Sequence, residues 1–463
     1  MKIQSKLSSD LKISRIITGL WQMADIEREE DIDPKAYAEK IIPYVEAGLT
    51  TFDMADHYGS SELIVGEYNI NNSTSDVQLL TKWVPKPGKV DKQSVSDAVQ
   101  LALDRMKQTS IDLMQYHAWH YPDPSWLDAL FYLTELKQEG LIKNIGVTNF
   151  DAAHLRVACA SGIPIVSNQI SHSLIDQRAN SSKIIDVCNE YGIKLLAYGV
   201  VMGGFLTNKW LNKNEPKPEN LKTWSEMKYK RFIDESGGWD AYQNLLNVVN
   251  QIAQNNDVSI ANICSRYILE NPLVAGIIIG ARLGENNHIK DNLNILKTKI
   301  SKEEINLIRD AQKELNPIPG DCGDEYRKPP YLTASGDLSH HFQEIPKIYD
   351  SNILVEGREH VSSNTKWEEL ASYSRAVKYK DRIVVSGTTA TYGDLTIGGD
   401  DASAQTYFII DKIEAAINSL GGSLKDVIRT RIFIKNLSDW ELVAKAHGER
   451  FKDIMPANTL VQA

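Results

Sequence analysis

The chain has 463 residues, 42% of them hydrophobic and 24% charged, with a formal net charge of -10 and a mean hydropathy of -0.32. This is the profile of a globular protein long enough for two or three domains. Acidic and basic residues are interspersed rather than gathered into a basic face, which excludes the electrostatic footprint of a nucleic-acid binder.

No apolar window reaches the length of a membrane span, and residues 1–20 lack an apolar stretch after their lysines, so a cytoplasmic protein is expected. Cys159, Cys188, Cys264 and Cys322 lie far apart with no CxxC pair. They read as reduced structural thiols, with no metal site and no disulfide framework.

β-Branched runs at 15–21, 50–56, 77–83, 111–118, 143–149, 165–171, 194–200 and 274–281 alternate with amphipathic helical stretches, the pattern of βα units. In the helix expected over 93–107, Val95, Val99, Ala102, Leu103 and Met106 share one face. No GxGxxG follows any of these runs, so eight such units predict an α/β fold, a closed (β/α)8 TIM barrel rather than an open doubly wound sheet. Ser301 followed by Glu304 reads as a capping box that opens one last helix, running to about residue 315.

The barrel is thus assigned 1–315. Residues 316–350 hold Pro317, Pro319, Pro329, Pro330 and Pro346 with several glycines, and read as a Pro/Gly-rich linker. Its aromatic residues Tyr326, Tyr331 and Phe342 need cover, so it is expected to run along the barrel or reach its mouth. Over 351–463, strands at 375–379, 382–387, 427–434 and 459–462 with helices at 404–420 and 439–451 predict a smaller α+β domain. The first helix carries the stripe Ile410, Ile413, Ile417 and Leu420 and stops at Gly421-Gly422; the second carries Trp440, Ala444, His447 and Phe451.

In such a barrel the active site lies at the C-terminal strand ends. Asp53 ends the second run with Tyr58 in the loop after it, Lys82 ends the third and His117 the fourth. Carbonyl reduction requires these residue types, because hydride delivered to carbon leaves an oxyanion that must be stabilised and protonated. Tyr58 is the natural proton donor, its pKa brought down from about 10 by the Lys82 ammonium. Asp53 holds Lys82 charged, and His117 aims an N–H at the carbonyl oxygen. Singly, each of the four can be read as packing or a structural ion pair; together, on successive strand ends, they define a site.

The run Phe52-Asp53-Met54-Ala55-Asp56-His57-Tyr58-Gly59 with Ser61-Glu62, then Leu80-Thr81-Lys82, Asp112-Leu113 leading into His117, and Gly146-Val147-Thr148-Asn149-Phe150, resembles the signature of the aldo-keto reductase family. The resemblance implies a catalytic tetrad of Asp53, Tyr58, Lys82 and His117. It also implies that Thr148, Asn149, Asn168 and Gln169 hold the nicotinamide carboxamide and the loop around it, and that Tyr198 stacks on the nicotinamide ring.

Gly280-Ala281-Arg282, then His288 and Asp291-Asn292, resemble the family's adenosine phosphate segment, with Arg282 at the 2′-phosphate. A guanidinium there favours NADPH. His288 stands where the family often has a second arginine, which leaves NADH open. Trp21 and Trp119 are expected to wall the substrate pocket, with Trp83 either beside them or packed in the rim. Ala118-Trp119-His120-Tyr121-Pro122 departs from the family's usual proline soon after the histidine.

The C-terminal stretch, with Asp381-Arg382-Ile383-Val384-Val385-Ser386-Gly387-Thr388, Gly421-Gly422 and Val427-Ile428-Arg429-Thr430-Arg431, resembles the YjgF-like reactive-intermediate deaminase (Rid) family. That family is typically trimeric and hydrolyses enamines and imines, which implies assembly of copies of this chain through the domain. Its catalytic arginine follows a Pro-Ala pair that here reads Pro456-Ala457-Asn458, and the sequence stops at Ala463, before the closing strand that carries the family's glutamate. Imine hydrolysis is therefore not expected. Arg429 and Arg431 alternate with apolar neighbours and are expected to face solvent or another subunit.

The function expected is NADPH-dependent reduction of a small aldehyde or ketone to an alcohol. Two alternatives stand beside it: a sugar or alcohol dehydrogenase working in the oxidation direction, and a non-catalytic protein that senses NADPH. The intact tetrad argues against the sensor, which needs no proton donor.

Overall fold

Strands buried on both faces read in sequence as apolar runs, and the run at 274–281 shows this most fully. β1 (Gln4–Lys6) and β2 (Lys12–Ser14) first make an antiparallel hairpin. β3 (Ile16–Gly19), β4 (Thr51–Asp53), β5 (Gln78–Trp83), β6 (Leu113–His117), β7 (Ile145–Thr148), β8 (Ile165–Ser171), β9 (Lys194–Tyr198) and β10 (Val274–Gly280) follow. These eight pair in sequence order, and β10 returns to β3 to close the barrel.

In the computed structural model the described residues are 1–23, 32–72, 76–285, 288–344 and 346–463. They divide into two units: Met1–Trp119 with Ala129–Ala152 and Pro164–His341, and His120–Asp128 with Ala153–Ile163 and Phe342–Ala463.

Within the first unit, Leu7 and Leu11 from the hairpin pack with Ile13, Ile17, Leu80, Leu113 and Leu196. This apolar cluster covers the end where the strands begin, and burying each such leucine is worth about 1.5–3 kcal/mol. The helix Lys92–Met106 buries the five residues expected of it and opens on an Asp91/Ser94 capping box. Ser301 and Glu304 form the capping box of the helix Lys302–Lys313.

A second cluster joins the helices Trp224–Glu235, Gly238–Asn255 and Ile260–Leu269 through Phe232, Ile233, Tyr242, Leu246, Val249 and Ile263. Gly199, just past β9, has φ 73°, and a Cβ there would meet the Tyr229 hydroxyl at 2.2 Å. Only glycine lets the helix Trp224–Glu235 approach the strand end so closely.

In the second unit β11 (Ser351–Val355), β12 (Arg358–Val361), β13 (Ala376–Tyr379) and β14 (Arg382–Val385) form an antiparallel meander. The hairpin β11–β12 is not apparent in the sequence, because Glu356, Arg358, Glu359 and His360 break its apolar alternation. β15 (Thr391–Tyr392) pairs with β16 (Leu395–Thr396), and β17 (Arg429–Ile434) runs parallel to β18 (Ala457–Gln462). The helix Ala402–Ser419 supplies Ala416 to a small core with Val361 and Ala376, and Leu420 at its end joins them.

The helix Trp440–Phe451 corrects one expectation. It buries Val443, Ala446 and Phe451, while Trp440 and Ala444 are exposed. Two adjacent stripes share the helical period, and only packing distinguishes them. Among the described residues no helix is long and apolar enough to cross a membrane.

Candidate active site

All barrel strands point their C-terminal ends at one opening, so residues distant in sequence meet there. Lys82 Nζ donates to Asp53 Oδ2 at 2.7 Å and to the Met54 carbonyl at 2.8 Å, and both charged side chains are 4% exposed. Gln169 Nε2 donates to Asp53 Oδ1 at 2.7 Å, and Gln115 Nε2 lies 3.4 Å from the same oxygen. A buried ion pair of this kind is close to neutral for stability while complete, and costly when one partner is lost.

Tyr58 is half-buried, and Lys82 Nζ stands 4.7 Å from the centre of its ring. Burial, then the negative charge of Asp53, push the Tyr58 pKa well above the usual phenol value. The lowering expected from Lys82 is not the net effect, because its ammonium is neutralised by Asp53 and bonded to a carbonyl. Burial in turn lowers the Lys82 pKa, with Asp53 opposing.

His117 Nδ1 lies 3.4 Å from the Thr148 carbonyl. Its Nε2 is buried without a hydrogen-bond partner among the described residues. Burial first, and the Arg327 charge second, lower its pKa to about 3. The ring is therefore neutral at physiological pH, with one nitrogen left for a ligand.

Thr148 hydroxyl donates to the Gln169 carbonyl at 3.0 Å, and Asn149, at φ 60°, accepts the Tyr198 hydroxyl at 2.8 Å. Asn168 is fully buried and does not line the opening; its amide donates to the Phe150 carbonyl at 2.9 Å, and its oxygen lies 3.3 Å from the Phe150 nitrogen. The Gln169 amide nitrogen is likewise committed to Asp53, and to Gln115 at 3.1 Å.

Arg282 and His288 are exposed and Asn292 half-buried at the far end of the opening, with Glu285 3.7 Å from Arg282. The Trp21 ring lies 4.9 Å from Tyr58, and the Trp119 ring 4.4 Å from His117. Trp83 packs against Tyr116 at 5.6 Å and belongs to the rim.

A cavity of about 890 Å³ is lined by Tyr58, Lys82, His117, Tyr198, Trp21 and Trp119 at one end and by Arg282, His288 and Asn292 at the other. Four further residues, not singled out from the sequence for this site, bear on it. Lys228 donates to the Tyr326 hydroxyl at 2.9 Å, Glu325 accepts from Arg178 at 2.8 Å, and Arg327 donates to the Asn149 carbonyl at 2.6 Å. Tyr326 alone carried a signal, as an aromatic in a broken segment; no motif marked the charged three for this site. Among the described residues no group of three or more His, Cys, Asp or Glu side chains is placed to hold a metal ion.

The closed parallel barrel with this strand-end constellation is the frame of an oxidoreductase. The model of the aldo/keto reductase family matches residues 15–313, and that described as endoribonuclease L-PSP matches residues 364–463. The chain belongs to the aldo/keto reductase family and carries a YjgF/Rid domain in the same polypeptide.

It is 23% identical to the chloroplastic pyridoxal reductase of Arabidopsis thaliana over 289 residues, covering 58% of this chain and 74% of that protein. Over 101 residues, 22% of this chain, it is 38% identical to the uncharacterized protein SCO2049 of Streptomyces coelicolor, of which 75% is covered. Its fold is similar to that of the glycerol dehydrogenase of Gluconobacter oxydans, with a TM-score of 0.57 at 20% identity, covering 69% of this chain and 98% of the other.

Proposed function

We propose that the chain reduces an aldehyde or ketone to the alcohol with NADPH, and that Tyr58 donates the proton. One observation carries this reading: Tyr58, the Lys82–Asp53 pair and the unpartnered Nε2 of His117 line a single cavity. A bound dihydronicotinamide supplies the hydride. As the carbonyl carbon receives it, the C=O electron pair moves to oxygen, and the Tyr58 hydroxyl proton goes to that oxygen.

The high proton affinity of Tyr58 keeps it in the donor form. Lys82, held by Asp53, stands beside the phenolate that remains. The Thr148 carbonyl beside His117 Nδ1 can only accept and favours the hydrogen on Nδ1; donation from Nε2 to the substrate oxygen takes the other tautomer, at the loss of that long, 3.4 Å contact.

The residues present fit the cofactor. Tyr198 offers a half-buried aromatic ring, Thr148 and Asn149 stand beside it, and Arg282 with Asn292 lies at the distance end of the same cavity for the adenosine. Glu285 next to Arg282 favours a second reading, NADH, since a carboxylate accepts from a ribose hydroxyl and repels a phosphate. The Rid domain is read as an assembly or ligand-binding module without imine hydrolase activity. Asn458 spends its amide on Thr430 at 2.9 Å and offers no cation for a carboxylate. A screen of small carbonyl compounds with full-length protein, following NADPH and NADH absorbance, tests the reading. Absence of turnover with every compound would overturn it.

A further inference from the structure

Lys228 belongs to none of the catalytic positions above, yet it is an ammonium placed at the same cavity. Its helix, Trp224–Glu235, is capped by Thr223 and buries Lys228, Tyr229, Phe232 and Ile233 on one side. That face brings Lys228, 8% exposed, to the cavity wall beside Tyr198, Tyr229 and Tyr326. Its Nζ lies 4.6 Å from the Tyr326 ring centre, 5.0 Å from that of Tyr198 and 5.5 Å from that of Tyr229.

The hydrogen bonding of this ammonium is incomplete. Nζ donates to the Tyr326 hydroxyl at 2.9 Å, and its nearest carboxylate oxygen, Glu325 Oε1, is 3.8 Å away, beyond hydrogen-bonding distance. Glu325 is turned to other donors, accepting from Arg178 at 2.8 Å and facing the Tyr198 hydroxyl at 3.4 Å. An ammonium has three N–H donors; two of these have no acceptor among the described residues. Burial opposes the charge, but the Tyr326 and Tyr229 oxygens and Glu325 outweigh it and raise the Lys228 pKa. A buried donor without an acceptor is costly, and the ligand that resolves it brings an oxygen, best a charged one.

The position is close to the chemistry. The Tyr326 ring, which Lys228 holds by its hydroxyl, is 5.7 Å from the His117 ring. We infer that Lys228, steadied by Tyr326, is a subsite for a carboxylate on the substrate, so that the chain prefers short carbonyl acids over neutral carbonyl compounds of the same length. A carboxylate suits the place better than a phosphate, because a second negative charge beside Glu325 would face a single ammonium. The inference rests on the reductase reading for its turnover but not for its binding.

The test uses full-length protein with oxo-acids of two to five carbons and their methyl esters, comparing kcat/KM for acid over ester. Wild type is expected to favour the acid, Lys228→Met to lower that ratio by at least about tenfold, and Lys228→Arg to retain most of it. In parallel, calorimetry with butanoate and butanamide needs no turnover: butanoate should bind and Lys228→Met should lose it. If neither these compounds nor any other small carbonyl compound is reduced, the reductase reading fails, while the butanoate titration still decides the subsite. An unchanged acid-over-ester ratio in Lys228→Met, an equal affinity for butanoate and butanamide, or a variant that loses only NADPH affinity would each overturn the proposal.

Discussion

The barrel mouth and the β17–β18 sheet of the second unit use the same kinds of polar residue and do opposite things with them. At the mouth, Asp53, Lys82, His117 and Gln169 are between 2% and 4% exposed and bonded to one another or turned to a cavity. On β17 and β18, Arg429, Arg431 and Asn458 are exposed. A closed parallel barrel gathers its strand ends around one desolvated space, where a charge acts strongly. In an open sheet successive side chains leave by opposite faces, and here Arg429 and Asn458 meet water and at most a neighbouring hydroxyl.

Where the second unit does bury charges, it spends them on structure. Arg450 pairs with Asp411 and Glu414, and Lys412 donates to the carbonyls of Thr389 and Thr391. Buried ionisable groups are thus not by themselves a site. What marks the mouth is that His117 and Lys228 retain nitrogen valences facing a cavity.

The largest expected effect breaks the mouth at its proposed proton donor. Tyr58→Phe should lower kcat by about 10²–10⁴-fold while the affinity for NADPH stays within error, because the hydroxyl acts on the substrate oxygen. Stopped-flow turnover with a fluorescence titration of the cofactor measures both, and wild-type turnover in the variant would remove Tyr58 from the mechanism.

Next in size is Asp53→Ala, which leaves the Lys82 charge buried and uncompensated. It should destabilise the protein by about 3–5 kcal/mol, read as a shift of the urea midpoint, and abolish turnover. Unchanged stability would mean that water reaches Lys82 and that the desolvated picture of the mouth is wrong.

Arg282→Ala sharpens the same contrast within the cavity, since Arg282 is exposed where Lys82 is not. It should weaken NADPH by only about tenfold, or about 1.4 kcal/mol, and NADH hardly at all. Equal losses in titrations of the two cofactors would favour the NADH reading. The smallest effect belongs to the open sheet: Arg431→Ala should leave carbonyl turnover unchanged, and full-length protein should release no ammonia from freshly generated 2-aminoacrylate. Catalytic ammonia release would show that the exposed arginines can orient a carboxylate after all.

Much of the barrel was legible because burial on both faces writes itself into composition. β5 is buried throughout, and the run read at 77–83 nearly coincides with it. The helix Lys92–Met106 and the Ser301/Glu304 box were legible from period and capping chemistry. In the site, Asp53, Tyr58, Lys82 and His117 were accessible because each stands at or just after a strand end. The stripe on Trp440–Phe451 was mis-set, because two neighbouring stripes satisfy one period and only the packing partner distinguishes them.

The sequence by itself determined that eight βα units would close into a barrel, that Asp53, Tyr58, Lys82 and His117 would stand at its mouth, and that a second α+β domain would follow. These follow from local rules of period, capping and strand ends. Only the tertiary structure decided what those residues touch: that Gln169 serves Asp53 and Asn168 the Phe150 backbone, that Lys82 lies over the Tyr58 ring, and that Lys228 and Tyr326 meet at the same cavity. The physical reason is distance along the chain. Lys228 and Tyr326 are 98 positions apart, and a contact of that kind exists only once the barrel has closed.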